Sequence, residues 1–317
     1  MDEFEIIRRY FARDTDDKAV REGMGDDGAV LRPSPDRELV SVVDTLVFGV
    51  HYPAMLAAAD VGYRAVAVNL SDIAAMGARP RWMTLAVTLA DSDPAWLDDF
   101  SRGLFEAADE HELALVGGDT TRGNETVVSV QVIGDVEPGK ALMRSGAKPG
   151  DAICVSGTVG DAVAGLSILQ SGLPESDDVD YLLQRFKRPQ ARVALGRELL
   201  SVAHAAIDLS DGLYTDLEKL LSASGVAGTL EVADIPLSAQ LTNLMDEEDA
   251  LRFALAGGDD YELCFTTDVA DERIREVSDS ARVAITRIGQ VTKGSGLACT
   301  RNGNKYDYQD AGYRHFH

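Results

Sequence analysis

The chain has 317 residues, enough for two domains or one unusually large one, with 30 basic and 53 acidic side chains and a net charge of −23. Nucleic acid and anionic membranes both call for a basic patch, so this balance excludes them as natural partners. Apolar residues at 45% and charged residues at 26% are ordinary for a globular protein with a real core.

No apolar stretch is long and unbroken enough to span a bilayer, and the acidic N-terminus, Met1-Asp-Glu-Phe-Glu5, does not read as an export signal. Cys154, Cys264 and Cys299 are far apart and odd in number, which fits neither a disulfide framework nor a zinc site and indicates a reducing, cytoplasmic compartment.

In chain order, apolar runs predict strands at Leu39–Val43, Met83–Leu89, Leu113–Val116, Thr126–Val136, Ala152–Val155, Tyr261–Thr266 and Val283–Gly289. Helical periodicity predicts helices at Ala57–Met76, Pro94–His111, Asp161–Gln170, Gln190–Val202, Leu213–Ala223 and Glu272–Ser280, with Gly77 as a stop and Pro189 at a start. The alternation implies a mixed α/β protein. The turn-rich segment Met143–Asp151 divides it into an N-terminal domain, 1–142, and a C-terminal domain, 143–317. No short repeat is present.

Aspartates recur at the ends of apolar strands and beside glycine. Asp26 and Asp27 lie in Gly-Asp-Asp-Gly28, Asp44 ends Leu-Val-Ser-Val-Val-Asp, and Asp119 follows Gly117-Gly118. Asp208 and Asp211 lie in Ile-Asp-Leu-Ser-Asp-Gly212, and Asp259 and Asp260 in Gly-Gly-Asp-Asp-Tyr-Glu262. Any single Asp-Gly pair reads more simply as a turn; five such sites in one chain make that reading strained. Asp72 differs, because it falls inside a helix that otherwise reads as buried, three residues after Asn69 and on the same face. A buried carboxylate is expensive unless paired, protonated or bound to metal, and a structural pair with Arg64 is the competing explanation.

Two carboxylates ~4 Å apart repel by about 4 kcal/mol at an effective dielectric near 20, so any convergence of these acids needs cations. Scarce histidine and scattered cysteine argue against zinc, and all-oxygen donors favour Mg²⁺ bridging to substrate phosphates. The chain lacks a Walker-type loop and the protein-kinase motif set. Gly-Thr-Val-Gly-Asp161 before a helix reads as a plain turn rather than an anion site, and Arg122 and Arg144 are the better phosphate contacts.

Several blocks resemble thiamine-monophosphate kinases: Gly25-Asp-Asp-Gly-Ala-Val30, Val43-Asp-Thr-Leu-Val47 with Gly49-Val-His51, Val68–Gly77 and Gly117-Gly-Asp-Thr-Thr-Arg-Gly123. Arg144-Ser-Gly146, Ile207–Gly212, Tyr261–Phe265 and Gly312-Tyr-Arg-His-Phe316 continue the set over nearly the whole chain. The resemblance implies the two-domain fold of aminoimidazole ribonucleotide synthetase-like proteins, a homodimer formed through the N-terminal sheets, and the reaction of ATP with thiamine monophosphate to give ADP and thiamine diphosphate with several Mg²⁺ ions. It also implies that Asp27, Asp44, Asp72, Asp119, Asp208 and Asp211 bind metal, that Gly118, Asp119, Arg144 and Ser210 contact ATP, and that His51, Asp259 and Tyr313 contact thiamine monophosphate. Asp72, Asp119 and Asp211 are expected to carry catalysis.

Two departures stand out. Val42-Val43 replaces a Ser-Thr pair, so any metal contact there must come from the main chain, and Asp259 replaces a glutamate. Another ATP-dependent synthetase of the same superfamily and a non-catalytic Mg-nucleotide sensor are the alternatives.

Overall fold

The computed structural model describes residues 1–308, so Tyr313 and the Gly312–Phe316 block lie outside the described residues. Two compact units form, one of residues 1–73 and 78–139, the other of residues 74–77 and 140 onward.

In the first unit, α1 (Glu3–Ile6) and a π-helical turn lead to a small antiparallel ribbon of β1 (Val20–Glu22) and β2 (Val30–Leu31). β3 (Glu38–Val47), α2 (Ala58–Ala75), β4 (Arg79–Leu89), α3 (Pro94–Glu110), β5 (Ala114–Arg122) and β6 (Val127–Val136) follow. The four longer strands make a sheet in the order β3-β6-β4-β5, with only β4 and β5 parallel. Asp93 caps α3 by accepting from the Ala95 amide, with Pro94 in the first turn.

One sheet face is buried through Val40, Leu46, Met83, Leu85, Val128, Val130 and Val132. α2 lies on that face, its Ile73 side chain against Gly134 of β6. The opposite face is open: Val43 is 62% exposed, and the Thr45 and Ser129 hydroxyls meet at 2.7 Å.

The second unit contains β7 (Ala152–Ser156), α4 (Asp161–Ser171), α5 (Asp177–Lys187), α6 (Val193–Leu199), β8 (Ala205–Asp208), α7 (Leu213–Ser224) and β9 (Ala227–Glu231). It continues with α8 (Ala239–Leu244), α9 (Glu247–Ala256), β10 (Leu263–Thr267), α10 (Asp271–Ala281), β11 (Ile285–Thr292), β12 (Gly296–Arg301) and β13 (Asn304–Tyr306). Seven strands form one sheet in the order β13-β12-β9-β11-β7-β10-β8. Its core joins Ile153, Val155, Leu217, Leu220, Leu230 and Cys264, while α4, α5, α8 and α9 bury Ala164, Ile168, Leu182, Leu241 and Ala250 together. No helix among the described residues is long and apolar enough to cross a membrane.

Three expectations need correction. Asp44 and Asp119 sit inside β3 and β5 rather than after them, because pairing to β6 and β4 carries each strand past its apolar run. The predicted helix Gln190–Val202 is only Val193–Leu199, and Pro189 lies before it rather than at its start. α5 was not foreseen, although Val179, Leu182 and Phe186 are buried at helical spacing and Ser176 caps it.

Candidate active site

In the first unit, Asn69 organises the acids. Its fully buried side chain donates to the Ala65 carbonyl at 2.9 Å and accepts the Asp44 amide at 2.9 Å. That bond satisfies a main-chain donor on the open edge of β3, where no neighbouring strand exists to accept it. Asp72, half-buried one turn along α2, shares the Asn69 face. Along a strand the main-chain groups of successive residues turn to opposite sides. With the Asp44 amide on the open edge, the main-chain oxygen of Val42 lies there too, whereas that of Val43 is turned into the ladder with β6.

Asp119 is placed differently. Across the sheet Asp44 is in register with Val130, Leu85 and Gly118, so β3 and β5 are the two outer strands, about 14 Å apart at the usual strand spacing. Asp119 instead lies in the row Thr45, Ser129, Ala86, on the open face. Asp44 and Asp119 therefore occupy opposite edges and opposite faces, and no single ion with ligands near ~2.1 Å takes both. Gly118 has a packing explanation, since a Cβ there would stand 1.9 Å from the Leu85 carbonyl oxygen. Arg122, at the end of β5, lines a cavity of about 570 Å³ with Thr120, Thr121, Asp91 and Ser92. Asp27 is exposed, its amide bound to the Asp26 carboxylate at 2.8 Å.

His51 follows β3 in a tight turn and accepts the Val47 amide on Nδ1 at 3.0 Å. An amide can only donate, so the neutral ring carries its proton on Nε2, fixed as a donor.

In the second unit, antiparallel pairing brings the ends of β7 and β8 beside the start of β10. The pairing extends into the loops: the Tyr261 amide donates to the Leu209 carbonyl at 2.9 Å and the Asp259 amide to the Ser210 carbonyl at 3.0 Å. Asp208, Ser210, Asp211 and Asp259 are thus gathered at one end of the sheet. Arg144 is exposed, and its carbonyl accepts from the Ser224 hydroxyl at 3.0 Å. Asp259 and Tyr261 have φ of 68° and 52°, left-handed values that cost non-glycine residues energy and concentrate at functional positions. The Tyr261 hydroxyl holds the Asp259 carboxylate at 3.0 Å.

The residue between them anchors the strained turn. Asp260 is buried and accepts the Gly160 amide at 2.7 Å and the Ala162 amide at 3.2 Å. It fills the N-terminus of α4 with the protein's own carboxylate, consistent with a plain turn at Gly-Thr-Val-Gly160. Burial pushes the Asp260 carboxyl up to about 8, against the pull of Arg185 and the Gly160 amide. A raised carboxyl holds a proton in the folded state that the unfolded chain has released, so stability should fall as pH rises from about 4 to 8. Urea midpoints at pH 5 and pH 8 should show that fall in the parent and a smaller one in Asp260→Asn.

Sequence reasoning missed Asp216, Lys219 and the role of Glu262. Lys219 Nζ bridges Asp211 at 2.5 Å and the buried Asp216 at 2.8 Å, and Asp216 also accepts the Asp211 amide at 2.9 Å. Burial alone would lower the Lys219 ammonium, but the Asp211 and Asp216 carboxylates outweigh it and raise it. Glu262 is fully buried and accepts from Arg192 at 2.5 and 2.7 Å, Arg185 at 2.9 Å and Ser156 at 2.5 Å. A Cβ on Gly157 would lie 2.2 Å from that carboxylate, so glycine is required there. A glutamate inside Tyr-Glu-Leu-Cys-Phe was the available signal, since a charge in an apolar strand demands partners.

Among the described residues, no three His, Cys, Asp or Glu side chains cluster as a ready-made metal cage. Separate carboxylates with oxygen donors only still suit Mg²⁺, which keeps water and completes its shell with substrate phosphates.

Residues 25–136 match the family model "AIR synthase related protein, N-terminal domain", and residues 148–302 match its C-terminal counterpart. The chain is 45% identical to the thiamine-monophosphate kinase of Escherichia coli, over 99% of this chain and 98% of that protein. It is 34% identical to that of Bacillus subtilis, over the full length of both. The chain belongs to the thiamine-monophosphate kinase family. Its fold agrees with the crystal structure of the thiamine-monophosphate kinase from Stenotrophomonas maltophilia, at TM-score 0.88 and 43% identity over 96% of this chain and 98% of that one. AaThiL complexed with AMPPCP and TMP superposes at TM-score 0.80 and 31% identity, over 90% and 89% of the two chains. The hydrogenase maturation protein HypE, at 20% identity and TM-score 0.76, shares the two-domain α/β fold of these kinases.

Proposed function

We propose that the chain transfers the γ-phosphoryl group of ATP to thiamine monophosphate, forming thiamine diphosphate and ADP. The carrying observation is 45% identity to the Escherichia coli thiamine-monophosphate kinase from end to end. The AMPPCP and TMP bound to AaThiL support the pairing of a nucleotide with a thiamine phosphate. The reading extends to a cytosolic homodimer, in keeping with three buried free cysteines. It assigns ATP and Mg²⁺ binding and dimerisation to residues 1–142 and the second α/β domain to 143–317.

The acceptor is a phosphate monoester, largely ionised at neutral pH because its second pKa is near ~6. It needs no strong general base, so positioning and charge neutralisation carry the catalysis. Mg²⁺, when bound, neutralises charge between the two polyanions. Asp27, Asp44, Asp72 and Asp119 in the first unit, and Asp208 and Asp211 in the second, are the proposed ligands. Asn69 holds the Asp44 main chain in place, and Lys219 fixes one Asp211 oxygen before any cation arrives. Gly118, Asp119, Arg144 and Ser210 are assigned to ATP. His51 and Asp259 are assigned to thiamine monophosphate, His51 as an Nε2 donor and Asp259 as a carboxylate held by Tyr261.

Transfer is in line, without a phosphoenzyme. ADP should appear mole for mole with thiamine diphosphate, and a chirally labelled γ-phosphate should invert. ATP turnover indifferent to thiamine monophosphate would end the assignment, and net retention would end the direct transfer.

Val42→Ser should lower the Mg²⁺ concentration giving half-maximal rate, because it adds an oxygen on the Asp44 side of β3. Val43→Thr should leave that midpoint unmoved, because its side chain is on the face away from Asp44, and Asp119, the proposed ligand on that face, is on the far outer strand β5. Equal effects of the two would show that the edge of β3 does not meet the metal.

A further inference from the structure

The loop after β7, the C-terminal half of α5 and the segment before α6 wall a second-unit cavity of about 330 Å³. Tyr181, Gln184, Arg185, Arg188, Gln190 and Arg192 line it, and no lining residue is acidic. In a chain with 53 acids and 30 bases, that lining is the reverse of the general surface. The acids paired with Arg185 and Arg192 lie behind them: Glu262 and Asp161 are fully buried and line none of the cavity. Glu262 accepts four hydrogen bonds, from Arg192, Arg185 and Ser156. The Asp161 oxygens are taken by Thr158 and Ser238, each at 2.5 Å, and Tyr181 at 3.3 Å. Arg185 Nε is buried without a hydrogen-bond acceptor, 3.6 Å from Asp161 Oδ2.

The cavity therefore meets an occupant with guanidinium and amide groups, backed by carboxylates whose oxygens already accept hydrogen bonds from the protein. Guanidinium forks match the geometry of phosphate oxygens, and the volume suits a small molecule rather than a polymer. We propose that this cavity is a binding site for a small phosphoanion, separate from the positions that hold ATP and thiamine monophosphate. It goes beyond the kinase reading and does not depend on it. Because Glu262 directly follows Asp259, Asp260 and Tyr261, an occupant drawing on Arg192 acts next to the strained turn.

The test uses inorganic phosphate as probe, followed by ³¹P line broadening on the full chain, where nucleotide resonances are resolved from the probe. Gln184 and Gln190 are exposed and belong to no proposed catalytic contact, so changing them spares the fold. Phosphate should bind the parent with and without saturating AMPPCP and thiamine monophosphate. Gln190→Glu should weaken binding at least tenfold and Gln190→Lys should strengthen it, with unchanged melting temperatures. Gln184→Glu should act in the same direction as Gln190→Glu. Displacement by the nucleotide and thiamine phosphate would make the cavity part of the substrate site and overturn the proposal. Binding that ignores all three substitutions, or no binding at all, would overturn it as well.

Discussion

Asp72→Asn is expected to lower turnover by at least a hundredfold while the protein stays folded. Removing one preorganised electrostatic contact to a transition state typically costs about 10²–10³ in rate, and the proposed metal charge at Asp72 belongs to that class. Asparagine keeps the shape and much of the hydrogen bonding of aspartate, so the fully buried Asn69 one turn earlier still anchors Asp44. Asn69→Ala provides the contrast. It orphans the Asp44 amide at a part-buried edge and should cost about 1–3 kcal/mol of stability. Kinetics across a Mg²⁺ titration and a thermal melt separate the two variants. If Asp72→Asn matched the parent at limiting Mg²⁺, Asp72 would be a structural acid and the metal assignment in α2 would fall.

Composition and periodicity made the α/β class readable, and they placed α2, α3, α7 and the central strands within a few residues. They placed Asp44 and Asp119 just past strands, because they misjudged where those strands end. Hydrophobic runs report burial, and both strands continue through residues such as Thr45 and Thr121 that face outward. Pairing to a neighbour decides the end of a strand, and a neighbour distant in sequence leaves no local mark. The same limit hid the opposite placement of Asp44 and Asp119, which depends on strand order. β8, β9 and β13 are short and carry little periodicity, so they were invisible. Lys219 and Asp216 were open to simpler reasoning: they stand three apart on α7, where side chains share a face. Attention to Asp-Gly turns passed over them.

Glu262 was legible as a motif and illegible as a device, and its removal should cost the second unit more stability than any change at the proposed catalytic acids. Glu262→Gln keeps the volume but leaves Arg185, 8% exposed, and the half-buried Arg192 without the carboxylate they share. Breaking a buried ion pair by removing one partner costs about 3–5 kcal/mol, because the remaining charge stays desolvated. In a unit of this size that corresponds to a melting temperature lower by about 10 °C. Burial works to raise the Glu262 carboxyl, but the Arg192 and Arg185 guanidiniums and the Ser156 hydroxyl outweigh it and hold the group below its ordinary value of 4.5. A depressed carboxylate contributes stability that is fully present above its unfolded value and is lost as pH falls through the folded value. The gap between parent and Glu262→Gln should therefore be constant from pH 8 to about 5.5 and should close below about 4.5. Thermal melts of both proteins across that range measure it. A gap that persisted undiminished at pH 3 would mean that packing, not the shared charge, sets the cost.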